Sequence, residues 1–285
     1  MVTGTTRVFC VLGHPVAHSV SPAMHNAALR ELGLNGVYVA FDVAPESLSE
    51  AVRGLRALGV GGVNCTIPHK EALLPIVDRL SGDARLIGAV NTLVFTPTGI
   101  EGHNTDAPGF LAALRAAGGE PDGASAVVLG AGGSARAVVV ALARRGARIT
   151  LVNRTVGRAR VLADHVNAAF PEVPVRVVES GSAALAEAVR AAQLLVNTTS
   201  VGMHPHEDEL PELPLDAVHP GLFCFDLIYN PLETRLLREI RARGGRGSHG
   251  AGMLAHQGAL ALTLWTGHEA PAALMEQIVL QSLSR

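Results

Sequence analysis

The chain has 285 residues, with 23 basic and 25 acidic side chains, so its formal net charge is −2 when the histidines are neutral. This balance argues against a protein whose main ligand is a nucleic acid or another polyanion. The length and the 48% content of apolar residues predict about two globular domains rather than a disordered chain. All but one of the 23 basic residues are arginine, and the exception is Lys70.

Lys70 is therefore a candidate for acid–base chemistry. Arginine does not release its proton in a protein, whereas burial and neighbouring charges can tune lysine to do so. A compositional bias toward arginine that left one lysine behind is the alternative. Composition alone leaves both interpretations open.

The first residues show no basic segment followed by an apolar run, so we expect no signal peptide and a cytoplasmic location. Residues 247–268 carry no Asp, Glu, Lys or Arg, but they include His256, Gln257 and several glycines, which favours a buried helix over a membrane span. Cys10 and Cys224 lie in apolar runs and are expected in the core. Without a Cys-x-x-Cys pair, neither a disulfide framework nor a metal site is predicted.

The first half of the chain alternates short apolar runs with amphipathic stretches. Residues 6–64 predict strand, helix, strand, helix, strand, which is typical of a parallel sheet with crossover helices. A helix is expected over residues 69–80. Two β-rich runs that flank residues 97–99 predict a hairpin.

A Pro-Asp-Gly cluster at residues 121–123 marks a boundary, and the alternation of strands and helices resumes after it. The first strand, helix and strand of this part form the βαβ unit of a nucleotide-binding domain. The helices predicted around and after this unit span residues 107–119, 233–243, 252–266 and 271–283, with a glycine-rich break at 244–250.

A glycine loop of the pattern G-x-G-x-x-A separates the first strand of that unit from its helix. Gly130 permits a tight turn, Gly132 lets a pyrophosphate approach the backbone, and the small Ala135 permits close helix packing. A purely structural glycine-rich turn is the alternative. The predicted loop residues are Gly130, Ala131, Gly132, Gly133, Ser134 and Ala135.

The second strand of the unit ends without the carboxylate that an NAD site uses to bind the ribose 2′-hydroxyl. Asn153, Arg154 and Thr155 follow it, and Arg158 lies one helical turn later. Arginines can bind a 2′-phosphate through charge-assisted hydrogen bonds. We therefore predict NADP as the cofactor, with a solvated helix start as the alternative.

Small polar side chains follow the strands of the first half. Because the carboxyl ends of parallel strands meet at one edge of a sheet, we expect these side chains to converge in a crevice that suits a polyhydroxylated small molecule. Each of them alone could instead be a turn or cap residue. They are Ser19, Ser21, Asn64, Thr66, Lys70, Asn91 and Asp106.

Lys70 and Asp106 are the pair with catalytic potential. Reduction of a carbonyl by hydride requires a proton for the developing alkoxide, and a lysine oriented by a carboxylate can supply it as a general acid. An ordinary surface ion pair, which contributes little, is the alternative.

Several motifs in the same order resemble the shikimate dehydrogenase family, from about Val8 to the last helices. The motifs comprise G-x-P-x-x-H-S-x-S-P-x-x-H-N at 13–26, N-x-T-x-P-x-K at 64–70, GAVNT at 88–92, NTD at 104–106, the glycine loop, Asn153 to Thr155, residues 197–203, Asp226 with residues 229–231, and residues 250–257. Cys65 departs from the family, which often has a β-branched residue there.

The resemblance implies roles for individual residues, with Lys70 and Asp106 as the catalytic pair. For the substrate it implies Ser19, Ser21, Asn64, Thr66, Lys70, Asn91, Asp106, Tyr229 and Gln257. Besides the residues already given for the cofactor, it implies Thr198, Thr199, Ser200, Met203, Leu227, Gly250 and Met253.

The resemblance also implies the organisation and activity of the chain. We expect an α/β fold with a cleft between two domains, residues 1–106 plus 248–285 binding the substrate on a mainly parallel sheet and residues 107–247 forming a Rossmann-type NADP-binding domain. The expected reaction is the reversible reduction of 3-dehydroshikimate to shikimate by a monomer or homodimer that binds neither nucleic acid nor membrane. A quinate/shikimate dehydrogenase of broader specificity and a non-catalytic nucleotide-binding regulator are the alternatives.

Overall fold

The computed structural model describes residues 2–284, which form an α/β fold with two six-stranded sheets. The chain divides into two compact units, one of residues up to Gly109 together with those from Leu254 onward, the other Phe110–Met253. The predicted α/β class is thus confirmed. The predicted assignment of a substrate role and a cofactor role to two parts of the chain stays a prediction.

The sheet of the first unit has the strand order β2-β1-β3-β5-β6-β4. β1 pairs in parallel with both β2 and β3, and the predicted hairpin is confirmed as the antiparallel pair β5–β6. The strands are β1 (Arg7–Gly13), β2 (Gly36–Asp42), β3 (Gly62–Cys65), β4 (Arg79–Leu80), β5 (Thr92–Thr96) and β6 (Gly99–His103).

The helix predicted over residues 69–80 is wrong. The structure has turns up to Ile76, and Arg79–Leu80 forms β4, which pairs in parallel with β6. Pro75 explains the difference, because proline lacks the amide hydrogen that a helix interior needs and its ring clashes with the carbonyl four residues earlier. Asp78 then joins the sheet, with its amide donating to the carbonyl of Ile100 at 2.9 Å.

The sheet of the second unit has the order β12-β11-β10-β7-β8-β9, and all of its neighbouring strands are parallel. The order reverses between β7 and β10, the position at which open α/β sheets bind nucleotides. β12 lies in the predicted glycine-rich break and was not expected. The strands are β7 (Ser125–Leu129), β8 (Arg148–Val152), β9 (Val175–Val178), β10 (Leu194–Asn197), β11 (Phe223–Asp226) and β12 (Arg246–Ser248).

The helices connect the strands and bury apolar stripes against the sheets. In α2, for example, Leu48, Val52 and Leu55 lie on one face and pack into the core beside β1 and β3. The helices are α1 (Ser21–Glu31), α2 (Leu48–Ala57), α3 (Gly82–Ile87), α4 (Asp106–Ala116), α5 (Gly133–Ala143), α6 (Val156–Ala169), α7 (Ala183–Ala191), α8 (Arg235–Ala242), α9 (Ala251–Thr266) and α10 (Ala272–Leu283).

Residues 247–268, which carry no Asp, Glu, Lys or Arg, form the end of β12, a turn and α9. Among residues 2–284, no helix is long and apolar enough to cross a bilayer. The three cysteines are buried and free, as expected for Cys10 and Cys224.

Trp265 of α9 is packed directly against β3. A Cβ placed on Gly62 would lie 2.3 Å from two atoms of the indole ring. The indole is held in place, because its Nε1 donates to the carbonyl of Leu93 at 3.0 Å and its ring stacks on Phe9 with centroids 5.5 Å apart. The sheet therefore requires glycine at this position.

We expect Gly62→Ala to lower the free energy of unfolding by about 2 kcal/mol or more, because the added methyl group forces the rigid ring out of its position. Urea denaturation followed by circular dichroism measures the change. Gly54→Ala is the matched control: Gly54 lies inside α2 with no atom within 4 Å of its Cβ position, so alanine should stabilise the chain by about 0.5–1 kcal/mol. A Gly62→Ala chain as stable as wild type would contradict the expectation.

Candidate functional site

Lys70 and Asp106 form a buried ion pair in the first unit. The Nζ of Lys70 lies 2.7 Å from Oδ2 of Asp106, and the two side chains are only 12% and 4% exposed. Lys70 lies in the turn after β3, and Asp106 is the first residue of α4, with two residues between it and the end of β6. An exposed pair would contribute little, but burial makes each charge depend on the other.

Asn91 orients the carboxylate of this pair. Its Nδ2 lies 2.9 Å from the other carboxylate oxygen, Oδ1 of Asp106, and 3.2 Å from Oε1 of Gln257. The amide of Gln257 is fixed in turn, since its Nε2 donates to the carbonyl of Leu254 at 2.8 Å. Gly109 permits this approach, because a Cβ there would lie 2.8 Å from the backbone nitrogen of Gln257.

Asn64 extends the same network. Its Nδ2 donates to the carbonyl of Asn91 at 3.3 Å and to Oγ1 of Thr92 at 3.2 Å. The hydroxyl of Tyr38 donates to Oδ1 of Asn64 at 2.8 Å, which fixes the direction of the amide. Sequence reasoning missed Tyr38, because its strand gave only an apolar pattern, and it assigned Thr92 no role although this residue ends the GAVNT motif at 88–92.

Five of the predicted substrate residues are therefore connected by hydrogen bonds, namely Asn64, Lys70, Asn91, Asp106 and Gln257. Ser19 and Ser21 follow β1, with the amide of Ser21 donating to Oγ of Ser19 at 3.3 Å. Thr66 follows β3, and its amide donates to the carbonyl of Leu12 at 2.9 Å. Tyr229 belongs to the second unit, where burial raises the pKa of its hydroxyl.

The glycine loop has the geometry that a phosphate site needs. Gly130 follows β7 with φ +110°, a conformation that favours glycine. A Cβ on Gly132 would meet no atom within 4 Å, so the backbone there borders open space, while Ala135 is fully buried against the sheet. Gly133 and Ser134 begin α5, and the amide groups and dipole of a helix N-terminus favour an anion.

The residues predicted for a 2′-phosphate follow β8. Arg154, Thr155 and Arg158 are exposed, and Asn153 donates from Nδ2 to the carbonyl of Thr155 at 2.9 Å. The segment from Asn153 to Arg158 contains no carboxylate. This donor set fits the extra phosphate of NADP rather than a ribose hydroxyl.

The other predicted cofactor residues follow β10 and β11 or lie at the start of α9 and just before it. The hydroxyl of Thr198 donates to the carbonyl of Leu129 at 2.7 Å, so this residue touches the end of β7. Gly250 lies close to Leu227, whose carbonyl oxygen is 2.0 Å from the Cβ position of that glycine. The remaining predicted cofactor residues are Thr199, Ser200 and Met203, which follow β10, and Met253, which lies in α9.

A buried carboxylate in the second unit was not assigned a role from the sequence. Asp226 ends β11 and is fully buried, and burial raises the pKa of its carboxyl to about 6, although hydrogen bonds from Thr234, Ile228 and Asn197 lower it. The position of Asp226 in a strand-end motif was the sequence signal that could have pointed to it.

Among residues 2–284, no group of three or more His, Cys, Asp or Glu is arranged to hold a metal ion.

The two sheets, the glycine loop and the buried Lys–Asp pair together define a nucleotide-dependent oxidoreductase of the two-unit α/β class. Comparison with protein families gives the particular family. The shikimate dehydrogenase substrate-binding domain matches residues 11–93, the shikimate/quinate 5-dehydrogenase family matches 112–216, and the shikimate 5′-dehydrogenase C-terminal domain matches 250–280.

Individual relatives are similar over nearly the whole chain. The shikimate dehydrogenase (NADP⁺) of Methanopyrus kandleri is 51% identical, covering 99% of this chain and 98% of its own. A shikimate dehydrogenase crystallised with NADP⁺ superposes with a TM-score of 0.93 at 38% identity, covering 100% of this chain and 98% of its own. The Thermus thermophilus enzyme, crystallised with NADP(H) and shikimate, has a TM-score of 0.88 at 44% identity, with 98% and 100% covered. The chain belongs to the shikimate dehydrogenase family.

The raised pKa of Asp226 predicts a pH-dependent difference in stability between the wild type and Asp226→Asn, which cannot titrate. Because the folded pKa of about 6 lies above the ordinary value of 3.8, folding favours the protonated carboxyl. The wild type should therefore lose stability relative to the variant as the pH rises from about 4 to about 6, by up to about 3 kcal/mol. Urea denaturation of both chains across this range measures the difference; a wild type that gains on the variant with rising pH would contradict it.

Proposed function

We propose that this chain catalyses the reversible reduction of 3-dehydroshikimate to shikimate with NADP(H). The buried ion pair between Lys70 and Asp106 is the observation that carries the proposal, because it places a titratable amine beside a set of hydroxyl-binding amides. The Thermus thermophilus relative, which was crystallised with NADP(H) and shikimate, supports the choice of substrate and cofactor.

Lys70 is the general acid of the reduction. As hydride adds to the carbonyl carbon of the substrate, the developing alkoxide takes a proton from the Nζ ammonium of Lys70. Asp106 accepts a hydrogen bond from that ammonium and balances its charge, so the ammonium keeps a fixed direction. In the oxidation, the neutral amine of Lys70 accepts the proton from the hydroxyl of shikimate.

The amide groups around this pair bind the hydroxyls and carboxylate of the substrate. Asn64, Asn91 and Gln257 are each held by other protein groups, so they meet the substrate with little loss of side-chain entropy. The remaining proposed substrate contacts are Ser19, Ser21, Thr66 and Tyr229.

The bound dinucleotide supplies the hydride. The open backbone at Gly132 and the start of α5 receive the pyrophosphate, and Arg154 and Arg158 bind the 2′-phosphate together with Asn153 and Thr155. The other contacts proposed for the cofactor come from Ala131, Ser134, Thr198, Thr199, Ser200, Met203, Leu227, Gly250 and Met253.

Quinate is the nearest alternative substrate, and it carries one more ring hydroxyl than shikimate. Ser21 in the Ser-x-Ser pair and Arg154 in place of a carboxylate support shikimate with NADP.

Three further properties stay predictions. They are the division into a substrate domain of residues 1–106 plus 248–285 and an NADP-binding domain of residues 107–247, the cytoplasmic location, and the monomeric or homodimeric state.

We expect Lys70→Ala to lower kcat by about a hundredfold or more, because the alkoxide loses its proton donor. Initial rates with shikimate and NADP⁺ measure the effect. Arg79→Ala is the control: Arg79 forms an ion pair with Glu101 at 2.7 Å, but its side chain is 58% exposed, so kcat should not change. If the wild type shows no turnover, or Lys70→Ala keeps nearly full turnover, the proposal is wrong.

We expect Arg154→Ser to raise KM for NADP⁺ about tenfold or more while KM for NAD⁺ changes little, because the lost charge-assisted bond concerns the 2′-phosphate alone. Steady-state kinetics with both cofactors, and with shikimate and quinate in parallel, measure the preference. Arg160→Ser is the matched control. Arg160 is exposed on α6, and because it lies two residues from Arg158 it is on a different face of the helix. Equal effects on the two cofactors would exclude Arg154 as the 2′-phosphate residue.

A further inference from the structure

The carboxylate of Asp226 has no part in the proton transfer, yet it is fully buried and densely hydrogen-bonded. Oδ2 accepts from the hydroxyl of Thr234 at 2.7 Å, and Oδ1 accepts from the amide of Ile228 at 3.1 Å and from Nδ2 of Asn197 at 3.0 Å. Removing a carboxylate from water is costly unless its oxygens are bonded. The structure of this site therefore depends on all three donors.

Asn197 transmits this constraint to the next segment of chain. Asn197 and Asp226 are paired residues at the carboxyl ends of the neighbouring strands β10 and β11. Because Nδ2 of Asn197 is held by Asp226, its Oδ1 points toward Thr199, from which it accepts two hydrogen bonds, one from the amide at 3.1 Å and one from the hydroxyl at 2.7 Å.

The hydroxyl of Thr199 is used within the protein as well. Besides donating to Asn197, it accepts from the amide of Val201 at 3.2 Å. The hydroxyl of Thr198 donates to the carbonyl of Leu129, and its oxygen lies 2.4 Å from the Cβ position of Gly130 in the glycine loop. Residues 198–201, which we call the β10 turn, are thus held from both sides by hydrogen bonds.

We propose that Asp226 is a positioning residue for the cofactor: through Asn197 it fixes the β10 turn in the shape that receives the dinucleotide. The proposal rests on the proposed function, which places the cofactor against this turn. The turn lies beside the reversal of strand order between β7 and β10, where such sheets bind nucleotides. The two threonine hydroxyls serve the shape of the turn, and the cofactor meets its backbone.

Thr234 anchors the other end of the chain of hydrogen bonds. It is the N-cap residue of α8, and its hydroxyl accepts from the amide of Leu237 at 3.2 Å while donating to Asp226. A helix end that is fixed by its cap gives the carboxylate a rigid partner. Asp226 therefore connects α8, β11, β10 and the β10 turn.

Two pairs of variants test the proposal. Asp226→Leu removes all three acceptor interactions, whereas Asp226→Asn keeps Oδ1 for Ile228 and Asn197. Thr199→Val removes both hydrogen bonds of the hydroxyl, whereas Thr199→Ser keeps them. We expect Asp226→Leu and Thr199→Val to raise the dissociation constant for NADPH, measured by fluorescence titration, at least tenfold, and each conservative variant to raise it at least threefold less than the variant with which it is paired.

A second readout needs no cofactor. Hydrogen exchange of the Val201 amide in the free chain should be at least tenfold faster in Asp226→Leu and Thr199→Val, because this amide loses its fixed acceptor. A direct contact between the Thr199 hydroxyl and the cofactor would weaken binding in Thr199→Val but leave both binding and this exchange rate unchanged in Asp226→Leu, which keeps that hydroxyl. Unchanged exchange in Asp226→Leu would overturn the proposal.

Val189→Ala controls for a general loss of stability. Val189 is fully buried near the end of α7. This helix leads into the amino end of β10, whereas the β10 turn follows the carboxyl end of the same strand. This variant should lower the melting temperature and leave the NADPH dissociation constant unchanged. If Asp226→Leu does not fold, Thr199→Val carries the test, since its side chain is only partly buried.

Wild-type turnover separates this proposal from the proposed function. A wild type that neither binds NADPH nor oxidises shikimate contradicts both. A wild type that turns over, with Asp226→Leu and Thr199→Val binding NADPH as well as wild type, contradicts the positioning role alone. In the expected outcome, KM for shikimate stays within threefold of wild type while KM for NADP⁺ rises.

Discussion

The ion pair between Lys70 and Asp106 is almost enclosed by protein, and the need to hold its two side chains together organises the first unit. Lys70 lies in the turn after β3 and Asp106 begins α4, so their pairing at 2.7 Å requires that these two segments keep one arrangement. Backbone hydrogen bonds provide it: the carbonyl of Lys70 accepts from the amide of Val90 at 2.8 Å, and the amide of Asn91 donates to the carbonyl of His103 at 3.0 Å. The segment that contains Val90 and Asn91 is thereby bonded both to the turn of Lys70 and to the end of β6.

The second unit holds a carboxylate by a different means. The oxygens of Asp226 accept from a hydroxyl and two amide groups, so no cation balances its charge in these bonds, and burial raises its pKa to about 6. These neutral hydroxyl and amide donors fix the direction of the carboxylate, but none of them is an acid that could give up a proton in a reaction. The two carboxylates thus suit different tasks: Asp106 orients a titratable amine, whereas Asp226 orients backbone.

The parts of the fold that were predictable from the sequence are those whose signals are local. Buried parallel strands leave continuous apolar runs, so both sheets could be predicted, and the glycine loop follows directly after such a run. Residues 69–80 were mispredicted because an apolar helix-like pattern outweighed Pro75. β12 was missed because Arg246–Ser248 becomes a strand only by pairing with β11. The hydrogen bond of Tyr38 to Asn64 joins residues distant in sequence, which no spacing reveals, and the motif that contains Asp226 gave no sign of its bond to Asn197 on the neighbouring strand.

The single lysine also has a physical explanation in this structure. Arginine serves the exposed ion pairs of the chain, such as Arg79 with Glu101, where only a fixed positive charge is needed. At position 70 the side chain lies against Asp106 and must exchange a proton with the substrate in the proposed reaction, which a guanidinium cannot do at ordinary pH. Proton exchange therefore favours lysine at the one position where the chain has it.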